Sequence, residues 1–155
     1  MKFSRLAEYL TKLEIETSRN TITEILAELL SEAEAEEAEI IVNLSLGQLR
    51  PKFDSLEFNL AEKMMLKGLA TEVGEDRKAL TDRYKQLGDI GDLVAQLVED
   101  HDGQADEQQL TAVYQALVEI AEDEGEGSQD RKTQALSHLL LSLDPDSARY
   151  IARIV

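Results

Sequence analysis

Residues 125–155 read GEGSQDRKTQALSHLLLSLDPDSARYIARIV, and this stretch decides the fold that we predict. A glycine-bearing turn comes first. Leu136, Leu139 and Leu140 then follow at helical intervals, which is the spacing of one buried helix face. Asp144 and Pro145 end that helix and start another, because aspartate is a good N-cap and proline fits the first helical position. The stretch therefore predicts two helices joined by a sharp turn.

The same pattern occurs near the beginning of the chain. Residues 128–155 align without a gap on residues 18–45. The matched pairs include Ser128 on Ser18, Leu136 on Leu26, Leu140 on Leu30 and Ile151 on Ile41. The preceding helices match at a slightly different shift, so the second loop, residues 121–127, should be five residues longer than the first. We predict an internal pseudo-twofold repeat of a helix–loop–helix–turn–helix unit, at about residues 4–50 and 107–155.

Composition favours a compact all-α domain. Of the 155 residues, 31% are charged and 5% are aromatic, which is unlike a β-sandwich or barrel. The length is that of a single domain. There is no cysteine, so neither a disulfide framework nor a thiolate metal site is possible. No apolar run reaches the ~20 residues of a membrane span and no signal peptide is seen, so we expect a soluble, cytoplasmic protein.

Three helices are predicted between the two units, within residues 59–98. The first begins at a pattern similar to a capping box, residues 59–62, and ends at Gly74. Asp89 is placed to cap the last of the three. A polar linker, residues 99–108, is predicted to be the least ordered part of the chain.

The net charge of −16 argues against a nucleic-acid partner, because binding to phosphates needs a positive surface. The acidic run at residues 28–39 is interpreted as a solvated helix face and turn. Catalytic patterns are missing from the sequence. His101 and His138 are each isolated, and the adjacent Asp100, His101 and Asp102 are a weak signal for a cation. We therefore expect no catalytic residue and no metal site in this chain.

Two predicted loops carry the candidate binding residues. The first loop offers Thr17, Ser18, Arg19 and Asn20, and the second offers Gly125, Gly127, Ser128, Gln129, Arg131 and Lys132. Hydroxyls, helix N-termini and one or two cations in each loop would suit two neighbouring stretches of phosphate backbone. The alternative is ordinary helix capping, since serine and asparagine are common at helix starts.

Seven short motifs together resemble a known family. They are FSRLAEYL at 3–10, TSR at 17–19, TEILAELL at 23–30, EKM at 62–64, LGDIG at 87–91, GEGSQDRK at 125–132 and ARYIAR at 148–153. In this order they resemble the N-terminal DNA-binding domain of ATP-dependent DNA ligases, the replicative-type enzymes of archaea, some bacteria and eukaryotes. The resemblance covers nearly the whole chain.

The resemblance implies an all-helical, pseudo-twofold fold that grips nicked duplex DNA through the minor groove in replication, repair and recombination. The DNA-facing loops would be residues 17–20 and 125–132. Their backbone N–H groups and hydroxyls would contact phosphates, with Arg19, Arg131 and Lys132 as charge partners. Acidic residues flank the second loop, and Asp130 stands where the resemblance implies a neutral or basic residue.

The resemblance also implies a longer parent enzyme. The family's adenylation motif, Lys-x-Asp-Gly, does not occur in this sequence. We therefore expect no cofactor and no catalysis in this fragment. ATP and Mg²⁺ are implied for the parent ligase, whose nucleotidyltransferase and OB domains would be the intramolecular partners of this domain. The fragment would bind nicked DNA without sealing it.

A helical protein–protein interaction module without a nucleic-acid role is the alternative. Acidic charge and the lack of catalytic residues suit it. If Arg19, Arg131 and Lys132 share one concave face free of acids, DNA binding is favoured. If acids surround them, the interaction module is favoured. A metal-dependent hydrolase has only the abundance of Asp and Glu in its support.

Overall fold

The computed structural model describes residues 1–101 and 107–155, and within them the regular structure is helical apart from one isolated bridge between Lys2 and Gln109. The helices are α1 (Phe3–Ile15), α2 (Arg19–Glu32), α3 (Ala35–Ser45), α4 (Glu62–Val73), α5 (Arg77–Leu87), α6 (Ile90–Asp100), α7 (Leu110–Glu122), α8 (Ser128–Leu141) and α9 (Pro145–Ile154), with a 3-10 turn at Lys52–Asp54. The all-α prediction is confirmed. Most of the predicted linker lies in α6 or outside the described residues.

The two triplets of helices at the ends of the chain have matching lengths. α1 and α7 have 13 residues each, α2 and α8 have 14 each, and α3 and α9 have 11 and 10. The predicted five-residue insertion is divided between helix and loop, because α7 continues to Glu122 and α8 already begins at Ser128. The pseudo-twofold axis itself stays a prediction.

Several predicted helix ends are confirmed at atomic detail. The carboxylate of Asp144 accepts the backbone N–H of Ser147 at 3.0 Å, and that of Asp89 accepts the N–H of Asp92 at 2.8 Å. Gly74 ends α4 in the left-handed conformation, with a φ of 70°. Each cap satisfies backbone groups that a helix terminus would otherwise leave unpaired.

The capping box lies elsewhere than predicted. α4 begins after Ala61, which has no capping side chain, and Asn59 has a φ of +50° instead of capping a helix. The reciprocal pair is formed by Glu34 and Glu37 at the start of α3, inside the acidic run that we interpreted as solvated. The Glu37 carboxylate is buried because it also pairs with the Met1 ammonium.

α6 lies at the centre of the core, and α9 packs closely against it. Leu93, Val94 and Leu97 of α6 are fully buried. The two helices approach at Gly91, where an added Cβ would lie 2.6 Å from the Arg149 carbonyl oxygen. A similar approach joins α4 to α8 at Gly68. The start of α8 is placed by its packing on α4, whereas α2 packs against α1, and the candidate residues lie at the starts of α2 and α8.

Candidate nucleic-acid interface

The first loop consists of residues 16–18, between α1 and α2. Ser18 is the N-cap of α2, and its hydroxyl accepts the N–H of Thr21 at 3.4 Å. One carboxylate oxygen of Glu16 accepts the backbone N–H groups of both Thr17 (2.8 Å) and Ser18 (2.7 Å). The backbone N–H groups of the loop therefore already bind an anion, and this anion is the Glu16 carboxylate.

Arg19 and Asn20 lie in the first turn of α2 instead of in the loop. Their backbone N–H groups have no acceptor among the residues that the structure describes. The Arg19 side chain is exposed and has no ion-pair partner within residues 1–101 or 107–155. Free N–H groups at a helix N-terminus attract anions, and a nearby guanidinium strengthens that attraction.

The second loop consists of residues 123–127 and depends on two glycines. Gly125 and Gly127 have φ values of 93° and 76°, a region that side-chain-bearing residues rarely adopt. Ser128 and Gln129 lie in the first turn of α8, which has no side-chain N-cap. Within the described part of the chain, no acceptor is found for the N–H groups of Gln129 and Asp130.

Arg131 is tied to its own loop. Its guanidinium donates to both carboxylate oxygens of Asp123, at 2.8 and 2.7 Å, and to the carbonyls of Glu124 and Glu126. The hydrogen bond with Arg131 lowers the pKa of Asp123 below its ordinary value. Arg131 therefore holds the loop in shape, and its positive charge is already balanced by the Asp123 carboxylate.

Lys132 lies inside the protein. Its side chain is 4% exposed, and its ammonium donates to the carbonyl oxygens of Phe58 (3.0 Å) and Ala121 (2.9 Å). This position does not fit the surface charge partner that the resemblance implied. A buried cation with hydrogen-bond acceptors on two elements is a structural connection.

The three cations thus do not form one acid-free face. Arg19 is exposed, Arg131 is paired with Asp123, and Lys132 is buried. Exposed acids flank the second loop at Glu122, Glu124, Glu126 and Asp130. The condition that all three cations share a face free of acids is therefore not met, and the second loop can approach a phosphate mainly through its N–H groups and the Ser128 hydroxyl.

Residues 55–59, between α3 and α4, were not predicted to take part in binding, yet the structure places them beside the second loop. Ser55 and Asn59 line a cavity of about 490 Å³ together with Gly125, Ser128 and Lys132. The side-chain amide of Gln129 donates to the Asn59 carbonyl at 3.1 Å. The segment has no periodic pattern, so its position follows only from these long-range contacts.

Neither a metal centre nor a membrane span is found in the described residues. No group of three or more potential ligands is placed to hold a metal in residues 1–101 and 107–155. His101 and His138, which we interpreted as isolated, line one cavity of about 340 Å³ with Glu72. Asp102 of the weak cation signal lies outside the described residues. No described helix is long and apolar enough to cross a membrane.

The geometry defines an all-α domain in which two helix starts keep free backbone N–H groups, and comparison with known proteins gives the family. The family model described as DNA ligase N terminus matches residues 2–155. A probable DNA ligase of Dictyoglomus turgidum is 37% identical over 157 residues, which cover all of this chain and 26% of that protein.

Two archaeal relatives agree with this match. A protein named DNA ligase 2 of Thermofilum pendens is 35% identical, and a DNA ligase of Pyrobaculum arsenaticum is 34% identical. Each alignment covers all of this chain and 28% of the relative. The chain belongs to the family of DNA ligase N-terminal domains, which confirms the resemblance seen in the sequence. It spans about a quarter of the length of these relatives.

Proposed function

We propose that this chain is the DNA-binding domain of a longer ATP-dependent DNA ligase. It holds nicked duplex DNA by the phosphate backbone and the minor groove, at the first turns of α2 and α8. The observation that carries the proposal is that both helix starts keep free backbone N–H groups, at Arg19–Asn20 and at Gln129–Asp130. Family membership supports DNA as the ligand.

The charge of the domain determines what kind of contact it makes. At −16, the chain repels a polyanion at long range, and only Arg19 offers an unpaired cation at the described part of the two loops. Phosphate contacts therefore come mainly from backbone N–H groups and hydroxyls, which bind at short range. The isolated domain binds weakly and acts as one arm of a clamp.

The parent enzyme supplies the remaining chemistry. We propose that its nucleotidyltransferase and OB domains, with ATP and Mg²⁺, perform adenylation and sealing, and that they add the positive surface that this domain lacks. The adenylation motif Lys-x-Asp-Gly is not part of this sequence. Sealing activity is accordingly assigned to the parent chain and DNA positioning to this domain.

Arg19→Ala is expected to weaken binding to nicked duplex by about three- to tenfold, which corresponds to one exposed phosphate contact. The slope of log K against log salt should fall by about 0.9, since one fewer counterion is released. The measurement is fluorescence anisotropy of a labelled nicked duplex, starting at about 50 mM salt to limit screening. Arg77→Ala is the matched control, because Arg77 is exposed at the start of α5.

Equal effects of Arg19→Ala and Arg77→Ala would contradict the placement of the first loop on DNA. No saturable binding at high micromolar protein, with the circular dichroism spectrum of a folded helical protein, would contradict DNA binding by this domain alone. The same titration with a parent chain that carries the catalytic domains then shows whether those domains are required.

Glu16→Ala is expected to strengthen DNA binding by about three- to tenfold, the effect of removing about 1 kcal/mol of repulsion and competition. The Glu16 carboxylate occupies the N–H groups of Thr17 and Ser18 and places a negative charge where a phosphate would approach. The same anisotropy titration measures the change. Glu8→Ala, on the exposed face of α1, is the control. Weaker binding by Glu16→Ala would show that the carboxylate serves to shape the loop.

An acidic protein–protein interaction module is the second candidate function. The acids around Arg131 and the burial of Lys132 favour it at the second loop. It predicts that nicked duplex gives no saturable signal and that Arg19→Ala has no effect on binding to any DNA.

A further inference from the structure

Three separate elements meet at the buried ammonium of Lys132. The lysine lies in the first turns of α8, and its acceptors are the Phe58 carbonyl, between α3 and α4, and the Ala121 carbonyl, in the last turn of α7. The last carbonyls of a helix have no intrahelical donor and carry the negative end of the helix dipole. A buried cation suits this position, and the carbonyls lose their donor if it is removed.

A second connection runs parallel to the first. Gln129 lies one turn before Lys132 on α8, and its side-chain amide donates to the carbonyl of Asn59, the residue after Phe58. Asn59 is the one described non-glycine residue with a positive φ, at 50°. Two successive carbonyls of an otherwise irregular segment are therefore held by one face of α8.

These connections create a shared surface. The cavity of about 490 Å³ beside Lys132 has Ser55 and Asn59 on one wall and Gly125 and Ser128 on another. The Phe58 side chain anchors the segment in the core, and the two hydrogen bonds join its polar backbone to α8. These bonds therefore set the exposed polar groups of the segment beside those of the loop.

We propose that Lys132 is a positioning residue of the DNA-binding surface. It holds residues 55–59 against the start of α8, so that this segment contributes a third set of phosphate contacts beside the two loops. Lys132 itself contacts no phosphate. The inference rests on the proposed function, because the surface that Lys132 holds is the one assigned to DNA.

Lys132→Met distinguishes positioning from direct contact, since methionine keeps much of the apolar stem and lacks the ammonium. A positioning role predicts about tenfold weaker binding to nicked duplex, comparable to the loss of a charge-assisted hydrogen bond. The slope of log K against log salt should stay at the wild-type value, because the number of neutralised phosphates is the same. Arg19→Ala, for which we expect a smaller salt slope, is the variant with which Lys132→Met is compared.

Hydrogen exchange measured without DNA provides an independent readout. In Lys132→Met, exchange should be faster at residues 57–60 and 122–128, while the amides of α6 keep their wild-type protection. Gln129 has an exposed side chain, and Gln129→Ala removes only its hydrogen bond to the Asn59 carbonyl. This variant should therefore speed exchange at residues 57–60 alone. Lys132→Arg should restore part of the affinity, since a guanidinium can still donate to both carbonyls.

Three results would overturn the inference. A slope reduced by about 0.9 in Lys132→Met would make the lysine a direct phosphate ligand. Unchanged exchange at residues 57–60 in both variants would show that α8 does not hold the segment. Unchanged affinity with faster exchange would limit Lys132 to stability. If the wild-type chain binds no DNA, the proposed function fails, and the exchange experiment alone decides whether Lys132 positions the segment.

Discussion

Replacing Gly91 with alanine is expected to lower the free energy of unfolding by about 1–3 kcal/mol, the usual cost of overpacking a close contact. The added Cβ would lie 2.6 Å from the Arg149 carbonyl oxygen, 2.8 Å from the Arg153 Nε and 2.9 Å from the Arg149 Cγ. The nearest of these atoms belongs to backbone, so α9 must move away from α6. Those two helices share the most extensive packing between helices in the described residues.

The sign of the change in the free energy of unfolding distinguishes helix packing from helix propensity. Helix propensity alone predicts that alanine in place of a helical glycine such as Gly91 stabilises a protein, by up to about 1 kcal/mol. Urea unfolding followed by circular dichroism measures the difference. Ala112→Gly, on the exposed face of α7, calibrates the propensity on this chain. A more stable Gly91→Ala would show that the helices are not packed at this distance.

Local pattern was enough to predict most helices and their ends. Leucine spacing, Asp89, Gly74 and Asp144 act within one or two turns of the chain, and each was placed correctly. The incorrect predictions concern residues whose contact partners lie far away in the sequence. Glu37 is a buried capping residue because Met1 pairs with it, which no pattern within the acidic run could indicate.

Gly91 shows the same limit in the core. Asp89 is predicted to cap the helix that contains this glycine, and the structure places the glycine in the first turn of α6. Its role depends on Arg149 in α9, far along the chain. A helix crossing of this kind leaves no local signal, because glycine is read first as a breaker.

The candidate site was predicted in outline and not in detail. The two helix starts were found from Ser18 and from the glycines of the second loop, since capping and turn chemistry are local. Lys132 was predicted to be a charge partner for phosphate. The structure instead buries its ammonium, which donates to the carbonyl oxygens of Phe58 and Ala121. Sequence alone identifies a lysine near a helix start and cannot show which way its side chain turns.

Arg153→Met is expected to lower the free energy of unfolding at pH 7 by about 2 kcal/mol, within the range for hydrogen bonds to charged groups. The guanidinium connects three helices, since from its place in α9 it donates to Asp89 (3.1 Å), the N-cap of α6, and to Glu14 (3.1 Å) in α1. It also reaches Asp92 at 3.3 Å. Its side chain is 26% exposed, so solvent screens the network only in part.

Removing the guanidinium takes a shared cation from the carboxylates of Glu14, Asp89 and Asp92, although Arg149 still pairs with Asp92, and the pH dependence of stability should change accordingly. Burial tends to raise the pKa of Asp89, but the Asp92 N–H and Arg153 outweigh it and hold that pKa below its ordinary value. The hydrogen bond from Tyr150, together with Arg153, lowers the pKa of Glu14. A carboxylate with a lowered pKa stabilises the fold above its unfolded pKa, and this stability is lost as the pH falls through the folded pKa.

The loss caused by Arg153→Met should therefore be largest near pH 7 and shrink below about pH 4, where the carboxylates take up protons in both proteins. Urea unfolding at several pH values between about 3.5 and 7 measures this difference. Arg77→Met is the control, because Arg77 is exposed and should give the same small change at every pH. A pH-independent loss in Arg153→Met would mean that packing of the arginine stem, including its contact over the Tyr150 ring, stabilises the helices more than its charge does.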